Sequence, residues 1–163
     1  MRAMELKVVP IEIPEGCNII LGQTHFIKTA EDLYEILATR ISHAQFGVAF
    51  TEASGPCLIR TEGNSQELID ACVKNLLLMS AGHVFCIVLR NAFPIAVLND
   101  IKACQEVCRV FCATANPLQV VLAQTAQGCG ILGVIDGTAP KGVEGEQDKQ
   151  NRREFLRKIG YKT

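Results

Sequence analysis

Neither sign of charge is in excess in this 163-residue sequence, which has 16 Lys and Arg, 17 Asp and Glu, and a formal net charge of −1. Proteins that bind nucleic acid or a membrane surface usually carry a clear basic excess, so we expect neither partner. No apolar run reaches the ~18 residues of a membrane span. The Walker A motif is also missing, which excludes a P-loop nucleotide enzyme.

Two patterns that would explain the eight cysteines are missing as well. No Cys-x-x-Cys pair occurs, and Cys104, Cys108 and Cys112 have no histidine nearby, so we expect no metal centre. The N-terminus lacks the apolar stretch of a secretion signal. Most cysteines instead lie in apolar runs, as Cys57, Cys86 and Cys112 do, where a free thiol acts as a small buried hydrophobe. We therefore expect reduced thiols and a cytoplasmic protein.

The remaining composition, 48% apolar and 20% charged, is that of a folded protein. Residues 1–163 are too few to form two separate hydrophobic cores of ordinary size, so we expect a single domain. Apolar periodicity predicts strands over 5–14, 18–26, 45–52, 57–60, 84–89, 106–113, 118–123 and 131–135. It predicts helices beginning at Thr29 and at 64 or 65, and over 95–104 and 148–159. Alternation of the two predicts an α/β fold, a three-layer α/β/α sandwich with a mixed sheet.

Local signals sharpen several of these boundaries. Two prolines in the first strand favour an edge position. Thr29 followed by Asp32 resembles a capping box. Asn64 or Ser65 is expected to cap the second helix, and Gly82 after it is expected to adopt the left-handed conformation.

Polar residues at strand ends are the first candidates for a site. Glu52 ends one predicted strand, Asp136 ends another, and Asn116 follows a third. Open α/β sheets bind ligands at the carboxyl ends of their strands, so we expect these three groups to act together. Taken singly, each residue also suits a turn.

Histidines supply the second set of candidates. His83 lies between a helix and a strand, where a neutral imidazole can accept a proton, bind a metal or attack a phosphoryl group. It also fits a histidine that is merely hydrogen-bonded at a helix end. His25 is a weaker candidate of the same kind, and His43 is expected to be solvated.

The segment 128–133 satisfies G-x-G-x-x-G but fails as a dinucleotide fingerprint, because a strand follows it where a helix is required. Its glycines either form a tight, closely packed turn or bring backbone N–H groups near a phosphate. Gly130 and Gly133 are the candidates for the second role.

Several sequence blocks together resemble one family. They are residues 46–56, 81–85, 93–108, 113–117, 130–137 and 156–162. The chain is similar in these blocks, and from about Leu6 to the C-terminus, to the adenosine-specific kinase family of archaea and bacteria. The resemblance implies an α/β sandwich subunit in a homo-oligomer, a trimer or hexamer. It also implies transfer of phosphate from ATP to adenosine, which gives AMP, with Mg²⁺ accompanying ATP.

The resemblance points to the 52–55 turn, Arg60, His83, Asn116 and the segment 130–137, and a kinase hypothesis assigns the following roles. His83 is expected to contact or covalently accept the phosphoryl group, and Glu52 or Asp136 to activate the nucleophile or hold Mg²⁺. Arg60 and Lys28 are expected to neutralise phosphate charge. The other expected nucleotide-binding residues are Ser54, Gly55, Asn116, Gly130, Gly133 and His25.

Two positions depart from the family pattern. Cys129 stands between the turn glycines where the pattern usually has arginine, a natural phosphate clamp. Ser65 stands where the pattern has aspartate, which removes a carboxylate that could cap the helix or hold Mg²⁺. Cys129 favours an alternative, a non-catalytic AMP- or ATP-binding sensor or regulatory oligomer. A purely structural oligomer is a third possibility.

Overall fold

A computed structural model describes residues 4–163, which form eight strands, four α-helices and one 3₁₀ turn. The strands are β1 (Glu5–Ile11), β2 (Cys17–Thr24), β3 (Gln45–Thr51), β4 (Ile59–Gly63), β5 (Val84–Arg90), β6 (Val107–Thr114), β7 (Leu118–Gln124) and β8 (Cys129–Asp136). The helices are α1 (Thr29–Arg40), α2 (Gln66–Met79), α3 (Leu98–Ala103) and α4 (Glu146–Lys158), and the 3₁₀ turn covers Pro94–Ala96. In this part of the chain no helix combines the length and the apolar character needed to cross a membrane.

The strands form two sheets, in the orders β4-β3-β5-β2-β6 and β1-β7-β8. The α/β class is confirmed, and β1 lies at a sheet edge as its prolines predict. The expected mixed sheet is wrong, because every pairing between these strands is antiparallel. Each of α1, α2 and α3 does connect two strands of the same direction. An antiparallel strand lies between the two in every case: β5, β3 and β2 respectively.

The five-stranded sheet is the middle of three layers. One core cluster lies between this sheet and α1 with α3, and it includes Leu33, Phe46, Phe85 and Ile101. The opposite face packs on α2 and on the three-stranded sheet together. The second outer layer was predicted to be helical, but it consists of α2 and the three-stranded sheet. The apolar residues on one face of β1 and β7 are buried against the five-stranded sheet beside α2.

Helix α2 lies directly on the backbone of β3. A Cβ added at Gly47 would be 2.3 Å from the backbone nitrogen of Ile69, far inside van der Waals contact. Only glycine permits this approach, which positions α2 on the sheet.

The predicted helix ends differ in detail. Thr29 Oγ1 donates to the carbonyl of Phe26 at 2.6 Å, and Asp32 pairs with Lys28, so no capping box forms. Asn64 does not cap α2, because its side-chain oxygen accepts the N–H of Phe46 at 2.8 Å and thus ties the helix start to β3.

The end of α2 and the third helix also correct the prediction. Ser80, with φ 50°, is the left-handed residue after α2, and Gly82 is not. The continuous helix expected over 95–104 is divided into the 3₁₀ turn and α3 by Val97, whose φ of −127° interrupts the helix.

All eight cysteines are free thiols. Cys86 is buried as expected, Cys112 is half-buried, and Cys57 is exposed because it lies in the turn between β3 and β4. Burial, with the charge of Asp136 as a smaller cause, raises the pKa of Cys112 to about 11. The thiols thus range from buried to exposed, and the expectation of general burial is wrong for Cys57.

Candidate functional site

His83 occupies a strained position at the start of β5. Its φ is 57°, in the left-handed region that β-carbon-bearing residues rarely adopt. Its backbone N–H donates to the carbonyl of Thr51 at 2.8 Å, and its carbonyl accepts the N–H of Thr24 at 3.0 Å. Neighbouring strands therefore hold the residue in this conformation from both sides.

The imidazole of His83 is half-buried and stacks on the buried ring of Phe50, with the ring centroids 5.8 Å apart. Among residues 4–163, no hydrogen bond is made to either ring nitrogen. A positioned imidazole with free nitrogens can accept a proton or attack an electrophile.

The turn after β3 packs directly against this histidine's neighbour. A Cβ at Gly82 would lie 2.8 Å from the Cβ of Ala53, so glycine allows the 52–55 turn to approach. Ser54 and Gly55 are exposed in that turn. The structure thus brings three predicted residues, Glu52, Ser54 and Gly55, close to His83. They lie at the end of the strands where β3 ends and β5 begins, which we call the His83 edge.

Glu52 and Arg60 form an ion pair in this turn. Arg60 Nη2 donates to Glu52 Oε2 at 3.1 Å, and the backbone N–H of Leu58 lies 3.3 Å from the same oxygen. The Glu52 side chain is only 14% exposed, and no partner in the described part of the chain bonds to its Oε1. The pair fixes the guanidinium and leaves one carboxylate oxygen available.

The segment after β2 adds two more predicted residues at this edge. His25 is exposed, and its backbone N–H donates to the carbonyl of Glu106 at 3.0 Å. Lys28 Nζ lies 3.0 Å from Asp32 Oδ2, and this hydrogen bond is the main cause that raises the pKa of Lys28. The Lys28 side chain therefore carries its positive charge at neutral pH.

The glycine segment begins at the same edge, because Cys129 forms a parallel bridge with Ala81. Added Cβ atoms at Gly130 and Gly133 would meet nothing within 4 Å. Close packing within the chain thus does not explain these glycines. The open space favours the alternative that their backbone approaches a ligand or another chain.

Asp136 and Asn116 lie together at the opposite edge. Asp136 Oδ1 accepts hydrogen bonds from Thr114 Oγ1 at 2.7 Å and from Asn116 Nδ2 at 3.1 Å. Strand β8 runs from Cys129, beside Ala81, to Asp136, and seven steps of a strand span about 24 Å. Convergence of all three strand-end groups is therefore wrong: in antiparallel sheets, successive carboxyl ends alternate between the two edges.

The structure also assembles three residues that the sequence did not single out as a group. Ligand-type atoms of Asp32, Cys104 and Glu106 lie within 4.8 Å of one another. Burial is the main cause that raises the pKa of Cys104 to about 12, and the neighbouring carboxyl of Glu106 adds to it. The available signal was an acidic residue, Glu106, directly before an apolar strand.

A family model described as adenosine specific kinase matches residues 9–162. The crystal structure of the PH1918 protein from Pyrococcus horikoshii OT3 is similar, with a TM-score of 0.93 and 42% sequence identity over 99% of both chains. A search of curated proteins found no match.

Proposed function

Since the chain belongs to the adenosine-specific kinase family, we propose that it transfers the terminal phosphoryl group of ATP to adenosine and releases AMP and ADP. The observation that supports the residue assignment is the conformation of His83. Its backbone is held in the left-handed region, and its imidazole has no hydrogen bond to either ring nitrogen in the described residues. Strained residues that the surrounding structure holds in place are concentrated at active sites. The eight free thiols support a cytoplasmic location.

A covalent route would proceed in two displacements. A ring nitrogen of His83 attacks the terminal phosphorus of ATP, a nitrogen–phosphorus bond forms, and the bond to the ADP oxygen breaks. The 5′-hydroxyl of adenosine then attacks the same phosphorus, the nitrogen–phosphorus bond breaks, and Glu52 takes the hydroxyl proton. In the direct alternative, His83 only contacts the phosphoryl group during transfer from ATP to adenosine.

Charge neutralisation falls to the cations at this edge. Lys28 and Arg60 are the nearest candidates, and each is held by one carboxylate. Mg²⁺ would arrive with ATP; as the alternative to its role as base, Glu52 would hold this ion through its unpaired Oε1, since Mg²⁺ prefers oxygen ligands. Glu52 is favoured over Asp136 in this role because Asp136 lies at the far edge of the same chain.

The test is phosphoryl transfer from γ-labelled ATP to adenosine. His83→Asn is the better variant, because asparagine tolerates a left-handed backbone, and His43→Asn is the matched control at an exposed connection. We expect the rate of phosphoryl transfer to fall at least about 100-fold in His83→Asn. The rate of the His43→Asn control is expected to equal that of wild type. Unchanged AMP formation in His83→Asn would refute the role of His83 in phosphoryl transfer. Acid-labile label retained on wild type and absent from His83→Asn would select the covalent route.

Cys129 supports the second candidate, a non-catalytic AMP or ATP sensor, because a thiol cannot clamp phosphate as arginine does. The Cys129 side chain packs against the core cluster on the α2 side. Calorimetry that detects AMP or ATP binding, together with no turnover in the labelled assay, selects the sensor. Turnover by wild type selects the kinase.

We also propose that the chain acts as a homo-oligomer, with a second copy covering its three-stranded sheet. Leu6 and Val8 of β1 and Leu132 and Ile135 of β8 are exposed there, and a patch of this kind marks an interaction surface. Helix α4 adds support, since it has no buried residue. Val8→Glu is expected to reduce the mass measured by light scattering. Lys7→Glu, whose side chain leaves the strand on the opposite face, is the control.

An oligomer would also allow Asp136 to take part in the reaction from a neighbouring copy. Within one chain Asp136 and His83 lie at opposite edges, but the partner subunit's Asp136 could reach the His83 edge. Co-expression of His83→Asn and Asp136→Asn chains would then restore part of the activity that each variant lacks alone. No recovery in mixed oligomers would exclude a shared site.

A further inference from the structure

The cluster of Asp32, Cys104 and Glu106, which we call the acidic-thiol cluster, contains none of the residues that contact the substrates in the proposed phosphoryl transfer. Asp32 belongs to the first turn of α1, Cys104 directly follows α3, and Glu106 directly precedes β6. One ligand-type atom of each lies within 4.8 Å of the other two. Two segments of the chain, the first turn of α1 and the short α3–β6 connection, thus meet at this cluster.

Glu106 is the residue that requires an explanation. It is 3% exposed, and in the described residues neither carboxylate oxygen has a hydrogen-bond partner of normal geometry, although the Cys104 thiol lies beside the carboxyl. Its backbone carbonyl accepts from Thr24 Oγ1 and from the N–H of His25, both at 3.0 Å, so the residue is anchored. A buried carboxylate without a partner is strongly unfavourable unless a proton or a cation compensates it.

The cation already present, Lys28, is bonded to Asp32 and acts on Glu106 only through space. Lys28 pairs with Asp32 at 3.0 Å, and no ion pair between Lys28 and Glu106 occurs in residues 4–163. With both carboxylates ionised and Lys28 protonated, the group carries a net charge of −1 while Cys104 is a thiol. The cluster therefore lacks positive charge at a point lined by two carboxylates and a sulfur.

We propose that Asp32, Cys104 and Glu106 bind one zinc ion. Zinc accepts thiolate and carboxylate ligands together, whereas Mg²⁺ and Ca²⁺ select oxygen. The Cys104 sulfur–zinc bond forms as the thiol proton leaves to solvent. Three anionic ligands are then balanced by Zn²⁺ and the Lys28 ammonium.

The spacing of the ligand atoms suits this ion after small side-chain movements. Neighbouring ligands of tetrahedral zinc are about 3.5 Å apart, compared with the 4.8 Å limit in the structure. Water would complete the fourth position. Bound zinc would join the first turn of α1 to the α3–β6 connection, next to the segment that carries His25 and Lys28.

Cobalt(II) is the probe, because its bond to a thiolate gives a charge-transfer absorption that carboxylates and Mg²⁺ do not. We expect the dialysed full-length protein to bind one Co²⁺ per chain with this absorption, and equimolar Zn²⁺ to abolish it. Cys104→Ser is expected to lose the absorption. Cys57→Ser, at an exposed cysteine in the turn between β3 and β4, is expected to retain it.

Glu106→Gln supplies a second measurement that does not depend on the thiol. It removes the buried charge with little change in shape, so the metal-free protein is expected to fold. Co²⁺ affinity should fall about tenfold or more, and the rise in Tm with Zn²⁺ should be lost. The proposal is overturned if wild type binds no Co²⁺, if Cys104→Ser retains the absorption, or if Zn²⁺ raises the Tm of Glu106→Gln as much as that of wild type.

Discussion

Replacing His83 by glycine and by alanine measures the strain at the proposed site. Both changes remove the imidazole and its packing on Phe50, so their difference reports on the backbone alone. At an ordinary φ, glycine is less stable than alanine by roughly 0.5–1 kcal/mol because its unfolded chain has more freedom. At φ 57°, alanine carries a left-handed cost of about 1–2 kcal/mol that glycine avoids.

The two effects predict an inverted order at this position. His83→Gly is expected to be more stable than His83→Ala by about 0.5–1 kcal/mol. At His43, which is exposed and has no positive φ, alanine is expected to be the more stable replacement.

Urea unfolding of the four variants at one protein concentration provides the comparison, with unchanged slopes as a requirement. Kinase activity is expected to be lost in both His83 variants and retained in both His43 variants. If His83→Ala equals or exceeds His83→Gly in stability, the strain argument fails.

Two further predictions concern packing and charge. Gly47→Ala would place a Cβ 2.3 Å from the backbone of Ile69, so urea unfolding should show a loss of about 3 kcal/mol or more. Gly142→Ala, whose Cβ meets nothing, should change stability by less than about 0.5 kcal/mol. The Arg90 guanidinium lowers the pKa of Glu67, so NMR titration should find the carboxyl below its ordinary value in wild type but not in Arg90→Gln. Because the folded pKa is the lower one, the pair stabilises the protein above the unfolded pKa of glutamate, and this contribution is lost as pH falls through the folded value.

Element type was largely predictable from the sequence because it depends on local periodicity. Strand β5 was expected over 84–89 and occupies Val84–Arg90. Helix ends were less predictable. Asn64 has the chemistry of a cap, but its side chain satisfies the backbone of β3 instead, a partner that lies 18 positions away in the chain.

The candidate site likewise contains residues whose position follows from sequence order and residues whose position does not. Residues joined by short connections, such as Glu52, Ser54 and Gly55, lie close together in any fold, so sequence order alone places them in one turn. The place of Asp136 depends on strand direction, which sequence order does not reveal. The acidic-thiol cluster could not be predicted at all, because 72 positions separate Asp32 from Cys104 and only packing of α1 beside α3 brings them together.

Local patterns were sufficient to predict the α/β class, most of the helices and strands, the family and the residue types available for chemistry. Antiparallel pairing, the left-handed backbone of His83 and the place of Asp136 at the far edge became visible only in the folded chain. The two groups of properties differ in the range of the interactions that produce them. Periodicity and propensity act over a few residues, whereas strand order, buried charge and backbone strain depend on contacts between segments far apart in the chain.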